Sequence, residues 1–374
     1  MENFIVSARK YRPSNFDTVV GQDAITSTLK SAIKQQHLAQ AFLFCGPRGV
    51  GKTTCARILA KTINCFTPSA EGEACNDCDS CNSFNEGHSL NIFELDAASN
   101  NSVDDIRQLI NQVRIAPTIG TKKVYIVDEV HMLSSQAFNA FLKTLEEPPS
   151  HAVFILATTE KHKILPTILS RCQIFNFSRI SVYDMVIHLK GIAKKEGVEA
   201  EEKGLHVIAE KADGGLRDAL SIFDQLVSFE GGQISYAGVL KNLNVLDYDY
   251  YFKATQHVIE RNVTALLLLF NEVISHGFEE LTFMNGWAEH LRNLLLSKEV
   301  ASIALIESSE EIKSHYQQQA KELDQLSLMI MLSEIADFDV QYKSSKNKRL
   351  LSEITLMRLC SDELHEYKKK SPVG

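Results

Sequence analysis

Eight consecutive residues constrain this chain more than any others: Gly46-Pro47-Arg48-Gly49-Val50-Gly51-Lys52-Thr53 fit the pattern G-x-x-x-x-G-K-[ST]. The apolar run Ala41 to Cys45 before them reads as a buried strand. Lys52 to Asn64 after them carries a helical pattern. The glycines let backbone N–H groups close around phosphate oxygens without Cβ clashes, and the following helix presents its positive end to the anion. Lys52 then reads as the contact to the β- and γ-phosphates of ATP and Thr53 as a Mg²⁺ ligand, with Thr54 beside them in the same nucleotide site.

The surrounding sequence repeats the strand–helix alternation. Strands are expected at Asn91 to Leu95, Lys123 to Val127, Ala152 to Ala157 and Gln173 to Phe177. Helices are expected at Val103 to Val113 and from about Ser135 to Leu145. Such alternation implies a parallel sheet covered by helices on both faces, with its phosphate site at the carboxyl ends of the strands. After about Ser178 the strand signals stop. Amphipathic helices follow at Val182 to Glu196, Glu201 to Lys211 and Leu216 to Ser228, with longer ones beyond Asp247. Gly231-Gly232 and the Asn242 to Asp249 stretch are turn-rich and mark boundaries. Lys368 to Gly374 reads as a frayed tail or a cut point.

Two further motifs carry chemistry. Val124-Tyr125-Ile126-Val127-Asp128-Glu129 is an apolar strand ending in two carboxylates: Asp128 to hold Mg²⁺, Glu129 to polarise the attacking water. His131 reads as structural, because Glu129 already supplies the polarising group, and Glu146-Glu147 before two prolines reads as a helix end. Cys65, Cys75, Cys78 and Cys81 give C-x9-C-x2-C-x2-C, a spacing that wraps a tetrahedral Zn²⁺ and leaves no open position, so the site reads as structural. Cys45, Cys55, Cys172 and Cys360 lie among apolar neighbours and read as small core residues.

Composition closes off several classes. A net charge of -8 argues against a protein that coats nucleic acid by charge alone. The stretch MENFIVSARKYRP has no apolar core like that of a signal peptide, and Ala265 to Phe270 is too short to span a bilayer. The expectation is a cytoplasmic protein with no membrane partner.

Several motifs together resemble one family. They are "RKYRPSNFDTVVGQ" (Arg9 to Gln22), "GPRGVGKT", the cysteine cluster, "ELDAASNNSVDDIR" (Glu94 to Arg107), "VDEVHMLS" (Val127 to Ser134), "FLKTLEEPP" (Phe141 to Pro149), "ATT" (Ala157 to Thr159), "ILSRC" (Ile168 to Cys172) and "GGLRDAL" (Gly214 to Leu220). The chain resembles the gamma/tau subunits of bacterial DNA polymerase III, the AAA+ ATPases of the clamp loader. The resemblance is dense from about Ala8 to Leu226.

The resemblance implies an α/β P-loop AAA+ domain over 1–178 with a zinc-binding insertion near 65–81. An all-α lid over 179–243 and an all-α collar over 244–374 would follow. It implies that Arg12, Pro13, Val19 and Val20 border the adenine pocket and that Thr159 senses the γ-phosphate. Arg217 would reach the γ-phosphate of its own subunit. Arg171 would act as an arginine finger on ATP held by a neighbour. Guanidinium groups suit that work because they stabilise the charge shed in phosphoryl transfer.

The implied partners are delta- and delta-prime-type clamp-loader subunits, copies of the chain itself, the sliding clamp and primed DNA. The family's longer form carries further C-terminal domains that grip the replicative helicase and the polymerase. This chain stops before any such region, which reads as a short product or a truncation. The competing expectation, a branch-migration helicase of the same AAA+ class, shares the loop, sensor and finger but not the cysteine insertion.

Overall fold

All of Ala41–Cys45 (β1) and Ala152–Thr158 (β4) is buried, and so is Lys123–Asp128 (β3) up to its last residue. A strand apolar at every position is covered on both faces, which is the signature of a parallel sheet between helix layers. The computed structural model describes residues 5–361 apart from 307 and 309, so Met1 to Phe4 and the Lys368 to Gly374 tail lie outside the described residues.

With Ile92–Asp96 (β2) and Gln173–Asn176 (β5), the strands form a five-stranded parallel sheet in the order β2-β3-β4-β1-β5. Alternate residues of β1 diverge to opposite faces. Phe42 and Phe44 join Leu29, Cys55 and Leu59, from helices Asp23–Lys34 (α2) and Lys52–Asn64 (α3). Leu43 and Cys45 join Ile106, Leu109, Phe138 and Phe141, from Val103–Val113 (α5) and Ser135–Glu146 (α6). Capping fixes where these last two helices begin: Ser102 and Asp105 form a reciprocal capping box, and Ser134 accepts from the amide of Ala137. A short helix, Asp79–Asn85 (α4), lies between α3 and β2.

The described residues fall into two compact units, one made of those up to Glu199 with Ile208–Gly232, the other of Ala200–Val207 with those from Gln233 onward. The first holds the sheet together with Val182–Glu196 (α8) and Leu216–Phe229 (α10); Pro166–Leu169 (α7) precedes β5. The N-terminal helix Ser7–Lys10 (α1) is tied to this helical part of the unit: the Ser7 amide donates to Asp224 at 2.6 Å and Lys10 pairs with Glu196 at 2.6 Å.

The chain enters the second unit at Ala200, returns to the first within helix Glu202–Lys211 (α9) after Val207, and re-enters the second at Gln233. The second unit is then helical: Tyr236–Leu243 (α11), Tyr248–Ile259 (α12), Val263–Ser275 (α13), Glu280–Leu296 (α14), Glu310–Gln319 (α15), Gln325–Tyr342 (α16) and Lys348–Leu359 (α17). Its core is built on Trp287, Phe270, Phe283, Phe338 and Leu356.

Strand structure does not end near Ser178, because Glu199–Ala200 (β6) and Gln233–Ile234 (β7) pair as a two-stranded sheet. Two-residue strands leave no periodicity to read. No helix among the described residues is long and apolar enough to cross a membrane.

Candidate nucleotide site and cysteine knuckle

The glycine loop leaves the carboxyl end of β1, an inner strand between β4 and the edge strand β5. Three of its residues take backbone angles that side chains resist: Gly46 at φ +152°, Gly49 at +78° and Gly51 at +103°. At Gly46 the constraint is doubled, since a Cβ there would meet the Phe177 carbonyl oxygen at 2.5 Å. At Gly49 a Cβ would come within 3.1 Å of Gly215 Cα. The loop is therefore backed by the start of α10, where the Arg217 amide donates to the Gly49 carbonyl at 3.4 Å.

Lys52 is almost fully buried. Its Nζ donates to the loop carbonyls of Gly46 (2.8 Å) and Pro47 (2.6 Å). Burial holds its amine below the usual lysine range, and Glu129 and Asp128 act in the opposite direction. A buried ammonium whose hydrogen bonds go to carbonyl dipoles is poised for a stronger anionic partner.

The Thr53 hydroxyl donates to Asp128 Oδ2 at 2.7 Å, and Asp128 Oδ1 accepts from the Glu129 amide at 2.9 Å. Glu129 sits in the left-handed region at φ 48°, ψ 44°, where a non-glycine residue is held only by its surroundings. Its carboxylate accepts from the Thr159 hydroxyl at 3.0 Å and from the Thr159 amide at 3.3 Å.

The His131 side chain, 6% exposed, lies just behind. Its Nδ1 lies 3.0 Å from Thr158 Oγ1 and 3.3 Å from Glu129 Oε2, and its Nε2 lies 3.1 Å from Glu160. Sequence reasoning named Glu129 and Thr159 separately and gave no part to Thr158 or Glu160. β3 and β4 pair in register along their length, which sets the ends of both strands beside each other.

Of the N-terminal residues, Val19 is buried and is the residue nearest to where a Gly51 Cβ would lie, at 3.9 Å. Arg12 is held below its ordinary range by burial first and by Arg57 second. Arg217 adds to the effect, while Glu94 and Asp128 oppose it. Its charge thus lies within electrostatic reach of Asp128 and Arg217. Gln22, also without an assigned role, donates to the Ser178 carbonyl at 2.8 Å and to the Val50 carbonyl of the loop at 3.4 Å. Arg171 is directed elsewhere: it donates to the Thr167 carbonyl (2.6 Å) and Ser170 (3.2 Å) and pairs with Glu146 (2.8 Å).

The four cysteines of the insertion converge, with all four Sγ atoms within 4.8 Å of one another. Cys65–Cys75, Cys75–Cys81 and Cys65–Cys78 stand at 3.4, 3.9 and 4.0 Å. A tetrahedral zinc with bonds of about 2.3 Å would separate its sulfurs by about 3.8 Å. The amides of Asp77 and Cys78 donate to Cys75 Sγ. Hydrogen bonds from Thr67, Asp77 and Cys78 bring that thiol down to about 5, while burial pushes Cys81 up.

Lys61 on α3, only 4% exposed, donates to Asn76 inside the knuckle. Burial lowers its pKa, and Cys81, Glu73 and Cys65 act to raise it. A buried cation beside four thiols suits a tetrathiolate centre, whose net charge is negative. The donor set is compatible with zinc.

Fold and site define a P-loop nucleotide-binding α/β protein with an appended helical unit. Residues 21–181 match the family described as "DNA polymerase III, delta subunit". Residues 184–232 match "DNA polymerase III clamp loader subunit, ATPase lid domain". The chain is 39% identical to DNA polymerase III subunit tau of Bacillus subtilis, covering 94% of this chain and 62% of that protein. It is 42% identical to subunit tau of Escherichia coli, over 74% of this chain and 43% of that one. It is 32% identical to subunit gamma of Buchnera aphidicola subsp. Acyrthosiphon pisum, over 96% of this chain and 99% of that one.

The chain belongs to the DNA polymerase III gamma/tau subunit family, and it spans less than two thirds of these tau relatives. Among solved structures, the Holliday junction branch migration motor of Thermotoga maritima aligns with a TM-score of 0.46 at 22% identity, covering 67% of this chain and 80% of that one. The clamp loader delta protein of Bacillus subtilis aligns at 0.40 and 16%, covering 89% and 98%. Neither likeness is close enough to bear on function.

Proposed function

We propose that this chain is an ATP-binding and ATP-hydrolysing subunit of the DNA polymerase III clamp loader, an AAA+ motor that opens the sliding clamp and places it on primed DNA. The observation that carries the reading is the 2.7 Å hydrogen bond between Thr53 and Asp128. It brings the hydroxyl of the glycine loop and the carboxylate at the end of β3, two strands from β1, to one point, where a P-loop ATPase holds its metal. When bound, Mg²⁺ neutralises charge on the phosphate oxygens.

The loop amides and Lys52 grip the phosphates, and Glu129 orients and polarises the attacking water. Thr159 holds the Glu129 carboxylate and senses the γ-phosphate. Arg217 serves its own subunit's site and Arg171 a neighbour's. The N-terminal segment with Arg12, Pro13, Val19 and Val20 closes the adenine side. Cys65, Cys75, Cys78 and Cys81 hold a structural zinc. The functional division is an ATPase domain over 1–178, a lid over 179–243 and a collar over 244–374. In the cytoplasm, the chain assembles with copies of itself and with delta- and delta-prime-type subunits.

Lys52→Ala is expected to abolish nucleotide binding. In an assembly with the companion subunits, the wild-type chain should hydrolyse ATP faster when clamp and primed DNA are both added. A competent assembly showing no stimulation would overturn the proposal.

A further inference from the structure

The cysteine knuckle is joined to the rest of its unit by buried charged side chains, an expensive way to attach an insertion that served only itself. Glu73 is 8% exposed and lies two residues before Cys75. Its Oε2 accepts from the Phe16 amide at 3.1 Å. Its Oε1 has no hydrogen-bond donor in good geometry but faces Lys30 Nζ at 3.3 Å, and Lys30 in turn pairs with Asp17 at 2.7 Å. The same turn presses on α2: a Cβ on Gly72 would stand 3.1 Å from the Lys30 carbonyl oxygen.

Phe16 is itself buried, in one apolar cluster with Val19 and with Val50 of the glycine loop. A second set of ties runs to α3. Lys61 donates to Asn76, between the second and third cysteines, and Arg57 lies over the Phe84 ring of α4 at 4.8 Å while pairing with Glu94. The knuckle therefore grips both the segment that packs on the glycine loop and the helix that begins at Lys52.

We propose that Glu73 and Lys61 are positioning residues for nucleotide binding, through which the cysteine knuckle braces the N-terminal segment and the P-loop helix against each other. The inference rests on the reading of Gly46 to Thr53 as an ATP site. Without Glu73 the buried Phe16 amide loses its acceptor, the Phe16–Thr18 turn loosens, and Val19 no longer bears on the loop. Without the Lys61 ammonium, Asn76 loses its partner and the thiol cluster its nearby cation.

The test is a titration of the full chain with a fluorescent ATP analogue, together with zinc content and thermal midpoint. Glu73→Ala should weaken binding about tenfold, equivalent to about 1.4 kcal/mol. Glu73→Gln, which keeps an acceptor for the Phe16 amide, should recover most of the affinity. Lys61→Met should weaken binding and also lower the zinc retained. Glu71→Ala, an exposed change in the same loop, should do neither. Both Glu73→Ala and Lys61→Met binding as wild type, in folded proteins, would overturn the brace while leaving the ATP site standing. Failure of the wild-type chain to bind the analogue would overturn both.

Discussion

A non-glycine residue in the left-handed region costs about 1 kcal/mol or more, and such residues gather at functional sites. Glu129 occupies that region because its amide is fixed by Asp128 and its carboxylate by Thr159. The carboxylate is thus aimed by two neighbours rather than left to solvent. Glu129→Gln preserves the side-chain shape and its hydrogen bond from the Thr159 hydroxyl while removing the charge proposed to polarise water. It is expected to retain nucleotide binding and to lose turnover by about 10²-fold or more, the usual worth of a general base. Single-turnover hydrolysis in the assembled complex measures this, and wild-type turnover in that variant would remove Glu129 from the mechanism.

Legibility at this scale depends on sequence distance. Lys52 and Thr53 announce themselves because their spacing from the glycines is local, and Asp128 because it ends an apolar run. The bond from Thr159 to Glu129 spans thirty residues and is set by how β3 and β4 pair, which no local pattern encodes. His131, read from the sequence as structural, is bonded to Thr158, yet it also faces Glu129.

Elements were legible in proportion to the strength of their period. Ala41–Cys45, Lys52–Asn64, Val103–Val113 and Val182–Glu196 are read from the sequence with the limits the structure gives them. Helices α2 and α4 were not named in advance. α4 has seven residues, and α2 buries only a narrow Ile25–Leu29 stripe. In the second unit the helical pattern was plain, but which positions meet in the core was not.

His290 on α14 is such a position. It is 1% exposed, its Nε2 faces Gln319 at 3.1 Å, and its ring is edge-on to Phe252 at 4.6 Å. Burial pushes its pKa down to about 3, with Gln319 acting against the shift. The sign follows from linkage: the unfolded chain takes a proton near pH 6.5 that folded His290 refuses until about pH 3. Stability present above pH 6.5 is therefore lost as pH falls through that window.

Between pH 7 and 5 this one group should remove about 2 kcal/mol. Trp287, the only tryptophan in the chain, is buried one turn away and donates to Thr255 at 2.9 Å. Urea unfolding followed by its fluorescence reports this unit. The wild-type midpoint should fall more steeply with acid than that of His290→Asn, and equal slopes in the two proteins would refute the assignment.

At the scale of the whole molecule, the sheet order places the glycine loop at the end of an inner strand and puts β5, the strand that follows Arg171, at an edge. Arg171 makes its polar contacts with Thr167, Ser170 and Glu146, none of them in the phosphate loop. Its pairing with Glu146 is between partly exposed groups, and such pairs contribute about 0–1 kcal/mol, so little holds the guanidinium back from another partner. These contacts leave Arg171 outside its own phosphate loop, which accords with the proposal that it serves a site on another copy.

The consequence is directional. In an assembly containing one Arg171→Ala copy, the copy that carries the change should bind and turn over ATP normally. The site it abuts should bind ATP but turn over 10³-fold or so more slowly, the scale of a missing arginine finger. Marking one copy at a time with Lys52→Ala identifies which site is silent. A mixed assembly in which the altered copy's own site slows, while its neighbour's does not, would place Arg171 at its own nucleotide and end the proposal that it serves another copy's site.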